Sequence, residues 1–532
     1  MTGDYEALVI GAGHNGLTCA AYLAKAGLSV LVLDAYDRIG GMCTSEELTL
    51  PGFQSDVHAI GYQFANLSPT PDELGLSHHG LELIHSNPNV VHAFPDGTCN
   101  GLFGTLDETC ESIGQFSKRD AATWRTVFQG YLAQKEAIAA SVNAPPVPFS
   151  DQMTGLASLP GGSDLYRFQL QSARAWADET FEAPQTRLLI GTWAAHVGVA
   201  PDDGGGASLA SLFNSVIQDG GNNLVKGGMH NLPRALAAVV EANDGTIRTG
   251  ARVESVRMAG GAAAAVRLDD GEEIKAGKLI ASSVDPRHLV LDLLGERVAG
   301  AEIAAKIKRY EFGLAAMSLF LALDGPVEFR AGELPSRSPA VHCTPADFQF
   351  FGRLFLEARG GLLPSEPFGV VWNEGSTDPS RVPSGRGLLK IFIAPVPYAI
   401  KGDAAGSIAA TTWQEAKEPF VDRLVARLER DYLPGLSKRV IARAIQSPVD
   451  FEQLVPSCYR GTVTHGSMVA YQMGAMRPVP ELGGYRTPIS NVYLCGSGSH
   501  PGGGVSMLPG RNAAQVITRD LGLNFARLFP RS

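Results

Sequence analysis

The chain has 532 residues, 18% of them charged and 45% hydrophobic, with a formal net charge of −10. That length exceeds one hydrophobic core and suits two domains, and the negative balance, with no basic tract interleaved with aromatics, excludes nucleic acid as a default partner. The seven cysteines, at 19, 43, 99, 110, 343, 458 and 495, form no CxxC pair, so a dithiol redox centre is not expected. Reduced, mostly buried thiols are expected instead, and no metal site is read.

Met1 to Glu6 leads straight into a strand, with no basic segment followed by an apolar one. The expectation is therefore no secretory signal and a cytoplasmic location. No apolar run reaches the ~18 residues that span a bilayer, so the chain reads as soluble or peripheral, with membrane association left open. Residues 6–10 and 29–33 read as buried strands flanking a helix over 14–26, the pattern of a parallel sheet covered on both faces. Helical periodicity follows around 117–142, with Ser117 as N-cap and Asp120 in the first turn, and again over 164–181. Glycine-rich breaks stand at 204–206 and 220–221.

Alternating α/β character returns over 224–285. A helix at 232–242 is stopped by Asn243-Asp244-Gly245, and strands follow at 252–257 and 263–268. The interval 290–450 is mixed, with a strand at 315–323 and a helix near 411–432. The last 80 or so residues hold a strand, a glycine-rich loop and a helix. No period of 20–50 residues repeats.

Residues 11–16 read Gly11-Ala12-Gly13-His14-Asn15-Gly16, a GxGxxG placed after a strand and opening a helix. Gly11 permits the tight turn, Gly13 lets the backbone approach a pyrophosphate, and Gly16 lets the helix pack close to the strand. The helix N-terminus offers unpaired N–H groups to phosphate. Ala20, Ala24 and Gly27 are read as its sheet-facing side. Asp34 ends the second strand, where a carboxylate accepts from ribose hydroxyls and disfavours a ribose phosphate. Gly40-Gly41 follow shortly after, which is not part of the NAD fingerprint, and no second well-formed GxGxxG supports a nicotinamide site.

Three blocks of sequence carry a family resemblance. The first is residues 5–62. The second runs from Val225-Lys226-Gly227-Gly228-Met229 through the strand at 251–256 to Ile280–Pro286. The third is Tyr493-Leu494-Cys495-Gly496-Ser497-Gly498-Ser499-His500-Pro501-Gly502-Gly503-Gly504-Val505. Together they resemble the glutathione-reductase-type FAD superfamily, in the branch of phytoene desaturases and amine oxidases. Within it the chain is most similar to the phytoene-desaturase-like group named pyridine nucleotide-disulphide oxidoreductase domain-containing; Tyr485–Pro488 and Gly510–Ala514 fit that group. The resemblance implies an α/β fold: a Rossmann-type FAD-binding domain built from 1–65, 225–290 and 455–532. An interleaved α+β substrate domain would come from 66–224 and 291–454, with a helical insertion.

The resemblance also implies that FAD is the cofactor, with Gly11, Gly13, His14, Asn15, Gly16, Asp34, Ala35, Gly40, Gly41 and Met42 on its first side. Val253 would meet the adenine, and Gly496, Gly498, Gly503, Gly504 and Val505 would meet the flavin, with a helix N-terminus after Gly504 facing its N1/O2 edge. One departure is Asp56-Val57-His58, where relatives carry Asp-x-Gly, so His58 is expected to project towards the ring. His58, His500 and His465 are the candidate catalytic residues, as imidazoles able to take a proton while hydride leaves. Trp372-Asn373-Glu374 and Tyr459-Arg460 read as ordinary structure.

The expected activity is removal of a hydride by FAD from a largely apolar, alicyclic or isoprenoid-like small molecule, by C–C desaturation, with oxygen or a quinone as electron acceptor. A flavin amine or alcohol oxidase is the first alternative. A non-catalytic prenyl- or lipid-binding protein of the GDP-dissociation-inhibitor type is the second. Peripheral membrane contact and a homo-oligomer are left open.

Overall fold

The computed structural model describes residues 5–530. Strand β1 (Tyr5–Ile10), helix α1 (His14–Lys25) and strand β2 (Val30–Leu33) open the chain as an α/β unit. β1 pairs in parallel with β2 on one side and with the strand Glu273–Ser282 on the other. Val492–Leu494 and Thr246–Arg248 extend the parallel sheet at its two edges. The antiparallel hairpin Val253–Ala259 and Ala262–Leu268 runs on from the first half of Glu273–Ser282.

The uninterrupted apolar runs in β1 and β2 have a physical cause. Ala7, Val9, Val30 and Val32 enter the core beneath α1, while Leu8, Ile10, Leu31 and Leu33 enter a second core on the opposite face. Both faces are covered, so no position is left for a polar residue. α1 packs against the helices Asn231–Ala242 and Leu508–Asp520. A glycine of the second of these sets that distance: a side chain at Gly510 would meet the Asn15 carbonyl of α1 at 2.1 Å. Gly27 lies beyond the end of α1, where its φ of +90° reverses the chain into β2; its role is in the turn, not on the helix face.

A second sheet of seven strands stands against the first unit, in the order Val440–Gln446, Ala315–Leu323, Gly387–Val396, Gly369–Trp372, Ala340–Cys343, Val90–Ala93, Cys99–Leu102. It is antiparallel except between Ala340–Cys343 and Val90–Ala93. The chain thus returns to this sheet from two distant segments. One face, with Met317, Leu319, Val371 and Ile391, lies under the helix Trp413–Asp431. The other faces the helices Ala173–Thr180, Pro184–His196 and Gly206–Gly220.

The expected helix over 164–181 is two helices, Gly162–Leu170 and Ala173–Thr180. Ser172 caps the second by accepting the Ala175 N–H at 3.1 Å, which explains the break. Ser117 does cap Lys118–Val142 through the Asp120 N–H. The Asp120 carboxylate instead accepts from the N–H groups of Glu182 and Ala183, tying two helices together.

Candidate active site

A long cavity runs from the carboxyl ends of β1 and β2 to the inner face of the second sheet. It holds about 2020 Å3 of empty space, its mouth included. Its lining extends from the GxGxxG turn at one end to aromatic side chains of the second sheet at the other.

One end is built by the GxGxxG turn. Gly11 has φ +96°, and a side chain there would meet Ser283 Oγ at 2.4 Å. A side chain at Gly16 would fall 2.0 Å from the Gly11 carbonyl, so Gly16 is needed for α1 to sit on the turn. At Gly13 a side chain would meet no protein atom within 4 Å; this glycine opens to the cavity. α1 has no side-chain cap, so its first N–H groups are free for an anion. Gly40 donates its N–H to the Ala12 carbonyl at 2.8 Å, and a side chain at Gly41 would lie 3.3 Å from the Gly13 Cα. The paired glycines therefore fold the chain back over the turn, and Gly41 and Met42 line the cavity.

Asp34 accepts the N–H groups of Ala12 at 2.6 Å and Tyr36 at 3.0 Å. Burial pushes its carboxyl up, and those two N–H groups oppose the shift. Each oxygen keeps a lone pair for a ligand hydroxyl. Ala35 and Val253 line the cavity beside it, with Arg38 and Arg252. His14 and Asn15 line the middle, where Asn15 donates to Ser497 Oγ at 2.9 Å.

Gly503, Gly504 and Val505 reach the cavity, whereas Gly496 and Gly498 do not. A side chain at Gly496 would strike the Ser283 carbonyl at 2.3 Å, and one at Gly498 would strike Pro286 at 2.4 Å. These two glycines, like Gly16 and Gly40, pack the walls and do not face the space. The following helix starts at Leu508, not directly after Gly504, because Met507 adopts φ +63° as its N-cap.

The three candidate histidines separate. His58 lines the cavity and packs edge-on to Phe451 at 4.5 Å. His465 lines it too, at a φ of +51°. His500 is not among the lining residues. Its Nε2 lies 3.1 Å from the Ser141 carbonyl, and its own carbonyl accepts from Tyr485 Oη, so it braces the loop. Burial drives the pKa of His58 and of His465 down to about 3, helped at His58 by the Lys390 charge and at His465 by His14 and Arg477. Both imidazoles are therefore neutral at pH 7 and weaker bases than a solvated histidine.

Beneath His58 lies a charge cluster, of which Glu374 reads as ordinary structure in the sequence and Arg381 and Lys390 carry no motif. Arg381 bridges Asp56 at 3.1 Å and Glu374 at 3.0 Å, all three side chains being within 2% of full burial. Asp56 Oδ1 accepts from Ser45 Oγ and from the Met229 N–H. Lys390 donates to the His58 carbonyl; burial lowers its pKa to about 8, while burial raises that of Glu374. The cluster holds the 53–58 segment to the second sheet. Trp372, Trp193, His196, Phe213, Phe64 and Phe392 line the far end. Apart from Trp193 and His196, which share the helix Pro184–His196, they come from different elements, with no motif to flag them. Asp34 is the one carboxylate on the whole lining among the described residues, and it sits at the opposite end.

A profile of flavin-containing amine oxidoreductases matches residues 16–518. The chain belongs to this flavin family. Its resemblance to phytoene desaturases holds along the whole length: a lycopene-forming phytoene desaturase of Paracoccus sp. is 26% identical, covering 97% of both chains. One of the limonene dehydrogenase polypeptides of Castellaniella defragrans is 30% identical over 98% of this chain and 95% of its own. Pyridine nucleotide-disulfide oxidoreductase domain-containing protein 2 of mouse is 29% identical over 97% and 94%. The flavoprotein is thus an FAD-dependent oxidoreductase, and its cavity fits that cofactor: an open glycine at 13, an uncapped helix N-terminus, and a carboxylate 22 residues from Ala12 with lone pairs to spare. All seven cysteines are free and six are buried.

Proposed function

We propose that the flavoprotein desaturates a C–C bond in a neutral, largely apolar, alicyclic or isoprenoid-like substrate, passing the electrons to oxygen or a quinone. The observation that carries this reading is the far end of the cavity, walled by Trp193, Phe213, Phe64, Trp372 and Phe392, with no carboxylate facing it among the described residues. An ammonium substrate would lose its hydration there without gaining a counter-charge. An apolar skeleton gains from burial against the same walls. The relatives named for limonene and phytoene act on hydrocarbons, which supports the reading.

FAD supplies the acceptor for the hydride. Asp34 would hold the ribose hydroxyls, the α1 N-terminus with Gly13 the pyrophosphate, Val253 the adenine, and Gly503, Gly504 and Val505 the flavin edge. The aromatic wall would exclude water and orient the substrate. His58 and His465, kept neutral, would pack and hydrogen-bond without carrying charge. Peripheral contact with a lipid surface would give an apolar substrate a route in; no helix among the described residues is long and apolar enough to cross a membrane.

The test is anaerobic reduction of the purified yellow protein by a panel of terpenoid hydrocarbons and a panel of primary amines. Bleaching by hydrocarbons with formation of the more unsaturated product supports desaturation. Bleaching by amines alone would replace it with amine oxidation, which the family name keeps as the second reading.

A further inference from the structure

Two fully buried histidines, His92 and His342, lie behind the aromatic wall, and a third, the half-buried His196, stands in it. His196, at the C-terminus of the helix Pro184–His196, lines the main cavity and also a small adjoining chamber. Its ring is near-parallel to that of His342, at 15° and 6.1 Å. His342 meets His92 edge-on at 4.4 Å. Both stand on neighbouring parallel strands of the second sheet, in register with each other. Trp193 lies over the pair, 5.1 Å from His196 and 4.8 Å from His342.

His92 and His342 are fully buried, yet neither nitrogen of either ring has a hydrogen-bond partner. His196 Nδ1, Trp193 Nε1 and the Asn100 Oδ1 opposite His92 in the sheet are also unpartnered. Buried polar atoms are ordinarily satisfied, and a core built only for packing would carry leucine or phenylalanine at these positions. Among the described residues no His, Cys, Asp and Glu group can hold a metal ion. The row of rings ends at a fully buried one, so it does not conduct protons to solvent. What remains is a packed row of polar rings that meets the substrate end of the cavity at His196.

We infer that His196 anchors a neutral oxygen, a hydroxyl or carbonyl, on an otherwise apolar substrate, and that His342 and His92 position the His196 ring from behind. This rests on the apolar-substrate reading above and narrows it. Burial and the Lys390 charge hold the His196 pKa at about 4, so the ring meets the substrate neutral, with one donor and one acceptor. The same cationic neighbour disfavours an ammonium group beside His196.

The test uses the FAD-loaded protein and three probes of one skeleton: p-menthane, menthol and menthone. Binding is read from the perturbation of the flavin absorbance, without turnover. The oxygenated pair should bind roughly five- to tenfold more tightly than p-menthane, the span of one net hydrogen bond. His196→Phe should bring the ratio to about one while p-menthane affinity holds, and His196→Gln should restore part of the preference. His342→Ala, which removes the ring behind His196, should lower the preference for the oxygenated pair while p-menthane affinity holds; an unchanged preference would overturn the positioning role. Equal affinities in the wild type, or a preference surviving in His196→Phe, would overturn the anchor and leave the apolar cavity standing. No perturbation by any of the three would overturn the apolar reading and the anchor with it.

Discussion

At the scale of single residues, the glycines of the turn divide into two kinds. A side chain at Gly16 would collide with the Gly11 carbonyl, whereas one at Gly13 would enter the open cavity. Gly13→Val should therefore fold, with the thermal midpoint of the FAD-free wild type, and lose roughly tenfold or more of its FAD, read as the flavin-to-protein absorbance ratio. Gly16→Val should fail to give folded protein. Equal damage from both substitutions would refute the division. The GxGxxG roles were legible in the sequence because the motif is local: strand, turn and helix are contiguous. His500 shows the opposite case. It stands next to the flavin loop in sequence, but the chain turns its ring towards Ser141, and direction is not a property of spacing.

At the scale of elements, the helix Leu508–Asp520 is fastened by Arg511. Its guanidinium bridges Glu73 at 2.7 Å and donates to the Asn143 carbonyl at 2.7 Å, with both charged side chains almost fully buried. Tyr22 of α1 donates to the same Glu73. Arg511→Met removes the cation and strands a buried carboxylate, so stability should fall by about 3–5 kcal/mol in urea denaturation. The double variant Arg511→Met/Glu73→Gln should recover part of that loss. A different element carries the proposed lipid contact. Val147, Phe149, Leu159 and Leu170, in and around the short helices Phe149–Ser158 and Gly162–Leu170, are each more than half exposed. Replacing Phe149, Leu159 and Leu170 together by serine should lower sedimentation with phospholipid vesicles and leave FAD content unchanged; wild-type protein that stays in the supernatant would refute the contact.

At the scale of the whole molecule, burial lowers the pKa of His14, His58, His92, His196, His342, His465 and His500 together. Each is neutral in the folded chain at a pH where the unfolded chain, near its ordinary 6.5, takes up a proton. The unfolded state then binds more protons, so stability falls as pH drops below about 6.5 and continues to fall towards the folded values. Each such proton contributes about 1.4 kcal/mol per pH unit. Asp285, pushed up to about 7 by burial, acts in the opposite sense as pH falls and offsets one of them. Unfolding in urea at pH 7, 6 and 5 should show a steep loss, and His92→Phe should flatten it. A stability independent of pH over that range would contradict the burial of these rings. The sequence by itself determined the α/β class, the dinucleotide turn, the acidic end of β2 and the FAD-type continuation, because each depends on neighbours a few residues apart. Only the tertiary structure decided the substrate end: Phe64, Trp193, Phe213, Trp372 and Phe392 lie far apart in the chain, and the strand register that sets His342 beside His92, with the helix that brings His196 to them, is fixed by which faces two sheets and a helical layer can bury together.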